Sequence, residues 1–294
     1  MPHSTASAPG TVEATINYHF KPALGESPPS PVPGTVGAVR QKLNAQAVRI
    51  TDIRSTDNRF HVHRHGFQLV RFTGPEGLKY ETFDDGDKIK NKFYDEVKEL
   101  LKTELGATYV FVISHRLRRE SYQSVLDLPA DTPDTQKFSQ IVPTMNVHVD
   151  QSYDGAEMLV DMLQSQGGEA TDLKAKTKSC RWAIINVWKP LKTVTREPLA
   201  LCDSTTVSDA ELRAVKLRAP PMEFFEVAHS PEHKWYWQSN MEPDEAFFIK
   251  CFDSKTEGVA RNSPHSAFIL PDGQGSPRES IEIRCVVCWE NESN

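Results

Sequence analysis

Asn146-Val147-His148-Val149-Asp150, led in by Thr144-Met145, reads as a short strand carrying an imidazole and a carboxylate two positions apart. Side chains alternate along a strand, so His148 and Asp150 point to the same face. A histidine from a distant strand would complete a three-point set on one side of an octahedral metal and leave the other side open. Two histidines and one carboxylate so arranged suit non-haem Fe(II). The expected third ligand is His265, in Pro264-His265-Ser266, at the head of the apolar run Ala267-Phe268-Ile269-Leu270. Beyond it, Arg278-Glu279-Ser280 opens a strand that runs to about 290. An arginine fork and a hydroxyl on one strand face can hold a carboxylate, which a dicarboxylate co-substrate such as 2-oxoglutarate needs. Arg284 is an alternative anchor, because 278, 280, 282 and 284 share a face. Glu282 between them would neutralise one of the two arginines.

Outward from this stretch, strand follows strand. Arg181-Trp182-Ala183-Ile184-Ile185-Asn186-Val187-Trp188 is a strand stopped by Pro190, and 199–203, 224–228 and 246–253 continue the series. Turn signals separate them and helices are few, which predicts an antiparallel sandwich or barrel in place of an alternating βαβ fold. Upstream, Ile89, Phe93, Val97, Leu100, Leu101 and Leu105 recur at helical spacing and predict a helix over 84–105, capped by an aspartate and ended by Gly106. It would cover one side of a sheet. A second helix is expected over 155–166, and earlier strands over 12–20, 48–53, 66–72 and 107–114. Residues 21–37 are dense in Pro, Gly and Ser and read as a linker or extended arm. The division expected is an N-terminal strand and Pro-rich arm (1–40) followed by one domain (41–294).

The chain of 294 residues, 38% hydrophobic, has material for a substantial core. Its net charge of −6 is spread without a basic stripe, which excludes nucleic acid as an expected partner. No run approaches the apolar length of a membrane helix, and Met1-Pro2-His3-Ser4 lacks the pattern of a secretory signal. Five cysteines, an odd number, describe no disulfide framework. A soluble, cytoplasmic protein is expected. Cys285-Val286-Val287-Cys288 falls in a strand, where that spacing sends the two sulfurs to opposite faces, so it reads as core and not as a metal site.

Taken together, His148-x-Asp150, Arg181…Asn186-Val187-Trp188-Lys189-Pro190, Trp235-Tyr236, Met241…Asp244-Glu245, Pro264-His265-Ser266-Ala267-Phe268 and Arg278-Glu279-Ser280 resemble the AsaB-type hydroxylase/desaturase family, related to the gibberellin desaturase and CmcJ-like proteins. The resemblance runs from about residue 12 to 290. It implies a mainly β protein with flanking helices around a double-stranded β-helix (jelly-roll, cupin-like) core. It further implies Fe(II), 2-oxoglutarate and O2, and oxidation of a small molecule, often in secondary metabolism. The family commonly has Arg-Pro where this chain has Lys189-Pro190, a change expected at a surface or rim position.

Under this resemblance His148, Asp150 and His265 hold the metal, and Arg278 with Ser280 takes the far carboxylate of 2-oxoglutarate, Arg284 being the rival. Asn186, an amide among apolar neighbours, touches the co-substrate or a metal-bound water, or is a satisfied core amide. Tyr153, Arg118 or Arg119, Trp235 and Trp237 are expected substrate contacts. A competing metal site is His61-Val62-His63-Arg64-His65, read as alternate histidines on a strand, of amidohydrolase, zinc or copper type; a solvated strand or pocket rim is the plainer reading. A non-oxidative cupin-like isomerase, lyase or binding protein is the alternative function. A homodimer using the N-terminal arm is a further expectation.

Overall fold

In the computed structural model, which describes residues 10–21, 32–138, 141–218 and 221–293, the strand succession closes into two sheets. The strands are β1 (Thr11–Tyr18), β2 (Asn44–Asp52), β3 (Phe67–Arg71), β4 (Tyr109–Arg118), β5 (His148–Val149), β6 (Arg181–Pro190), β7 (Leu199–Cys202), β8 (Leu212–Arg218), β9 (Pro221–Val227), β10 (Trp235–Trp237), β11 (Glu245–Asp253), β12 (His265–Ala267) and β13 (Ser280–Trp289). One sheet has the order β1-β2-β10-β7-β12-β5-β9-β8, the other β3-β11-β6-β13-β4. All these pairings are antiparallel except β2 with β10. This is the jelly-roll core expected from the sequence. Consecutive β12 and β13 lie in different sheets, and so do β5 and β6.

The even and odd positions of β6 explain why it reads as an unbroken apolar run. Trp182 and Ile184 face the space between the sheets with Val147, Val149, Ala200, Cys202 and Phe268. Ala183, Ile185 and Val187 face the other way, against Phe93, Val97, Leu101 and Leu105 of the expected helix. A strand covered on both faces has no polar side to show, so alternation disappears. The helix itself is composite. Asp85 accepts hydrogen bonds from the amides of Asp87 and Lys88 at its start, a π turn spans Ile89–Phe93, and Tyr94–Leu105 is α-helical. Gly106, at φ 65°, ends it. Each of its fully buried apolar side chains contributes roughly 1.5–3 kcal/mol. Cys285 and Cys288 fall on opposite faces of β13, in the two different cores, and all five cysteines are free.

Two expectations are corrected. The segment 61–65 is not a strand: Val62–His65 is one helical turn, ended by Gly66 at φ 81°. A side chain at Gly66 would meet the carbonyl oxygen of Asn262 at 2.5 Å. Lys189 is not at the rim but fully buried, its ammonium bonded to the carbonyls of Gly77 and Pro190 and lying over the Phe72 and Phe83 rings. Burial pushes its pKa down to about 8. Residues 32–40 lie against the chain around 129–136: Val36 and Gly37 donate to the carbonyls of Gln136 and Asp134, and Arg40 donates to the carbonyls of Thr132 and Pro129. Residues 22–31 lie outside the described residues. Among the described residues no helix is long and apolar enough to cross a membrane.

His63 belongs to an ionic cluster and not to a metal strand. Its Nδ1 accepts from Arg181 at 3.0 Å and lies 3.3 Å from the Lys250 ammonium, and both cations are tied to buried Asp253. Burial, then Lys250, pushes the His63 pKa from 6.5 down to about 3. The unfolded chain therefore takes up a proton as pH falls below 6.5 while the folded chain does not. Stability from this group is complete above pH 6.5 and drains as pH falls toward 3. The urea midpoint is expected to fall between pH 6.5 and 4, and to fall less steeply in His63→Gln; equal slopes would refute the assignment.

Candidate metal centre and co-substrate site

His148 and His265 are register partners on the adjacent strands β5 and β12. Asp150 follows β5 directly, and the three residues offer ligand atoms that all lie within 4.8 Å of one another. The imidazole rings are 4.4 Å apart, and Nε2 of His148 is 3.8 Å from an Asp150 oxygen. Both rings are turned by their own backbone. Nδ1 of His148 bonds to the carbonyl of Asn146 at 2.8 Å, and Nδ1 of His265 to that of Ser263 at 3.0 Å. A carbonyl can only accept, so Nδ1 carries the proton in each ring and the Nε2 lone pair is free for a metal. Burial, then the neighbouring His265, pushes the His148 pKa down to about 4, which keeps that ring neutral. Neutral imidazoles and an ionised carboxylate are the donors that Fe(II) accepts.

Local sequence fixes Asp150 in place. Ser152 caps the helix Tyr153–Ser165 by accepting from the Gly155 amide, and donates to Glu223 at 2.5 Å. Gly155 is needed there, because a Cβ would sit 1.9 Å from the Glu223 carbonyl oxygen. The Asp150 side chain reaches across to the second sheet, where Asn186 on β6 and Arg284 on β13 are direct register partners. Asn186 donates to one carboxylate oxygen at 2.5 Å and Arg284 to the other at 3.0 Å. Burial alone would raise the Asp150 pKa, but Arg284 and the two histidines hold it well below the usual carboxylate range. Asn186 thus contacts the aspartate of the triad. Its Oδ1 is buried without a partner.

The two candidate arginines have different surroundings. Arg284 is committed to Asp150 and, at 3.1 Å, to Glu282. Arg118 on β4 lies 3.5 Å from the other Glu282 oxygen. Arg278 is buried, stacked 5.2 Å from the Trp188 ring, and donates one bond, to the carbonyl of Glu197. It has no ion pair among the described residues, and its Nε and the Oγ of Ser280 are buried without partners. Burial, then repulsion from Arg118, pushes its pKa down to about 9. A buried guanidinium N–H and a buried hydroxyl without hydrogen-bond partners are both groups that a carboxylate could satisfy.

His148 and Asp150 of the triad line a cleft together with Arg116, Arg118 and Arg284 and with the apolar side chains of Val39, Leu43, Ile141, Met222 and Phe224. Arg118 therefore lines the cleft. Tyr153 and Trp235 do not. Tyr153 donates to Asp209, stacks under Arg261 and lines a separate depression with His63 and Asn262. Trp235 is in the core, its indole N–H bonded to the Tyr18 hydroxyl at 2.8 Å. The sequence reading missed Arg116 within the basic run 115–119, and missed the wall built by 33–43. Alternation along β4, which puts 116 and 118 on one face, could have found the first.

A jelly roll with two histidines and one carboxylate at the mouth of its interior defines a class: the mononuclear non-haem oxidoreductases. Comparison with known proteins narrows this. The family model described as Oxidoreductase/YMDC permease-like domain matches residues 16–288. The hydroxylase/desaturase efuI of Hormonema carpetanum is 39% identical over 96% of both chains. The alpha-ketoglutarate-dependent dioxygenase phiK of a fungal species is 31% identical over 98% of this chain and 100% of its own. In structure, the iron and alpha-ketoglutarate-dependent endoperoxidase NvfI shares the fold with a TM-score of 0.73 and 24% identity, over 96% of this chain and 99% of that one. The chain belongs to this family of hydroxylase/desaturases and alpha-ketoglutarate-dependent dioxygenases.

Proposed function

We propose that the protein is an Fe(II)- and 2-oxoglutarate-dependent dioxygenase that oxidises a small molecule of secondary metabolism by hydroxylation, desaturation or ring formation. The observation that carries this reading is the triad, whose ligand atoms converge within 4.8 Å, two of its residues lining a cleft. His148, Asp150 and His265 would hold the iron. Bound there with 2-oxoglutarate and O2, it supplies the oxidising power that breaks a substrate C–H bond. The chain's own residues do the positioning. Arg284 and Asn186 keep Asp150 ionised and oriented, and the carbonyls of Asn146 and Ser263 set the two rings. Arg278 and Ser280 take the far carboxylate of the co-substrate, an anion that their unpaired burial calls for. A non-oxidative cupin would have no use for that pair. The same reading takes 41–294 as the oxygenase domain and 1–40 as an arm, places the protein in the cytoplasm and lets it pair as a homodimer.

The test is an anaerobic titration of the purified protein with Fe(II) and 2-oxoglutarate. A weak visible charge-transfer band is expected, followed by succinate on admitting O2. Iron binding with neither band nor succinate would overturn the oxygenase reading and leave the non-oxidative one.

A further inference from the structure

Metal triad and co-substrate anchor leave one cation of the cleft unused. Arg116 on β4 lies directly across from Glu282 on β13, and its side chain lines the cleft with His148 and Asp150. Glu282 is not its partner, since Arg284 and Arg118 occupy its two oxygens. Among the described residues the Arg116 guanidinium has no ion pair and no hydrogen bond. Arg284 alongside, and then burial, depress its pKa below the ordinary value. Asp150 and Glu282 act on it only from a distance, and a half-buried cation with no carboxylate bonded to it is completed by an anion from outside.

The cations that line the cleft are Arg116, Arg118 and Arg284, and its carboxylates are Asp150 and Glu226. Arg118 and Arg284 are paired with Glu282, Arg284 also with Asp150, and Glu226 is bonded to His19 at 2.6 Å, so Arg116 is the lining cation left without an ion pair among the described residues. The same cleft is lined by the apolar side chains of Val39, Leu43, Ile141, Met222 and Phe224.

We infer that the substrate is an amphiphilic organic acid, its carboxylate held by Arg116 and its apolar body laid along the cleft wall. This rests on the oxygenase reading and deepens it. The guanidinium fork binds a carboxylate through two parallel hydrogen bonds, so it fixes orientation as well as affinity. Arg116 then decides which C–H bond of the body faces the triad.

The experiment compares decanoate with decan-1-ol, two probes of equal chain length, by calorimetry on protein loaded with Mn(II) and 2-oxoglutarate. Wild-type protein is expected to bind the acid about ten-fold or more tightly than the alcohol, as one charge-assisted contact allows. Arg116→Met should erase that preference by weakening the acid alone, and Arg116→Lys should restore part of it. An unchanged melting temperature and unchanged 2-oxoglutarate affinity show that the variant is folded. No acid preference in the wild type, or a preference that survives Arg116→Met, overturns the inference. If Arg116→Met weakens 2-oxoglutarate instead, Arg116 is a co-substrate ligand: the inference falls and the oxygenase reading stands. If 2-oxoglutarate binds neither protein, the oxygenase reading falls, and the acid–alcohol comparison without it still decides for or against Arg116.

Discussion

Asp150→Ala is expected to abolish the Fe(II)/2-oxoglutarate charge-transfer band and to lower succinate formation by well over 100-fold. Loss of an outer partner of a metal ligand costs about 10–100-fold in metal affinity or activity, and Asp150 would be a ligand itself. Removing it leaves two neutral imidazoles and no anion to offset the metal's charge. The change also takes from Arg284 one of its two carboxylates, Glu282 remaining at 3.1 Å. Asp150→Asn separates the two effects. It keeps the shape between Asn186 and Arg284 while removing the charge, so the fold should survive and iron binding should not. Anaerobic absorbance, succinate analysis and thermal melting, run on both variants, check this. Full activity in Asp150→Asn would sink the assignment of the triad.

The fold was legible wherever one physical rule acted alone. The helix ending at Gly106 announced itself by its period and by its caps, because one face meets a sheet and the other meets water. The run 181–190 announced burial but not orientation, because β6 is covered on both faces. At 61–65 alternate histidines imitated a strand, and tertiary context won: Gly66 in the left-handed region ends a helical turn, and His63 is drawn to Arg181 and Lys250. Lys189 shows the same limit. Its stem and charge are absorbed by the Gly77 carbonyl and the Phe72 and Phe83 rings, all more than a hundred positions away in sequence, with the adjacent Pro190 carbonyl, and no local pattern signals that.

Much of the proposed site was legible for a different reason. A strand period of two puts His148 with Asp150, and Ser280 with Glu282 and Arg284, on common faces whatever the rest of the chain does. Pairing between strands was not legible. That Asn186 lies opposite Arg284, and that both grip Asp150, follows from the register of β6 against β13. Tyr153 illustrates the converse. It is three residues from Asp150, yet the helix that Ser152 caps turns it away to Asp209 and Arg261.

The two rival arginines should separate by opposite signs in stability and by different losses of function. Arg278→Leu removes a buried cation that has no ion pair among the described residues and a pKa pushed down to about 9 by its burial. Replacing such a charge by an apolar side chain is neutral or stabilising by roughly 1–4 kcal/mol, less the bond to the Glu197 carbonyl. The melting temperature of the metal-free protein should hold or rise by a few degrees. The same change removes the charged fork from the co-substrate, and about 1.5–3 kcal/mol per charged hydrogen bond means a KM for 2-oxoglutarate raised about ten- to a hundred-fold. Arg284→Leu does the reverse. It strips a cation from Asp150 and Glu282 and leaves two buried carboxylates short of a partner, a loss of about 3–5 kcal/mol. Iron affinity should fall with it, while KM for 2-oxoglutarate at saturating iron should change little. Calorimetric melting of the two metal-free variants, with steady-state succinate assays at varied 2-oxoglutarate, reads both quantities. Loss of 2-oxoglutarate binding in Arg284→Leu with normal binding in Arg278→Leu would move the anchor to Arg284. It would also leave the unpaired Arg278–Ser280 corner in need of another anion.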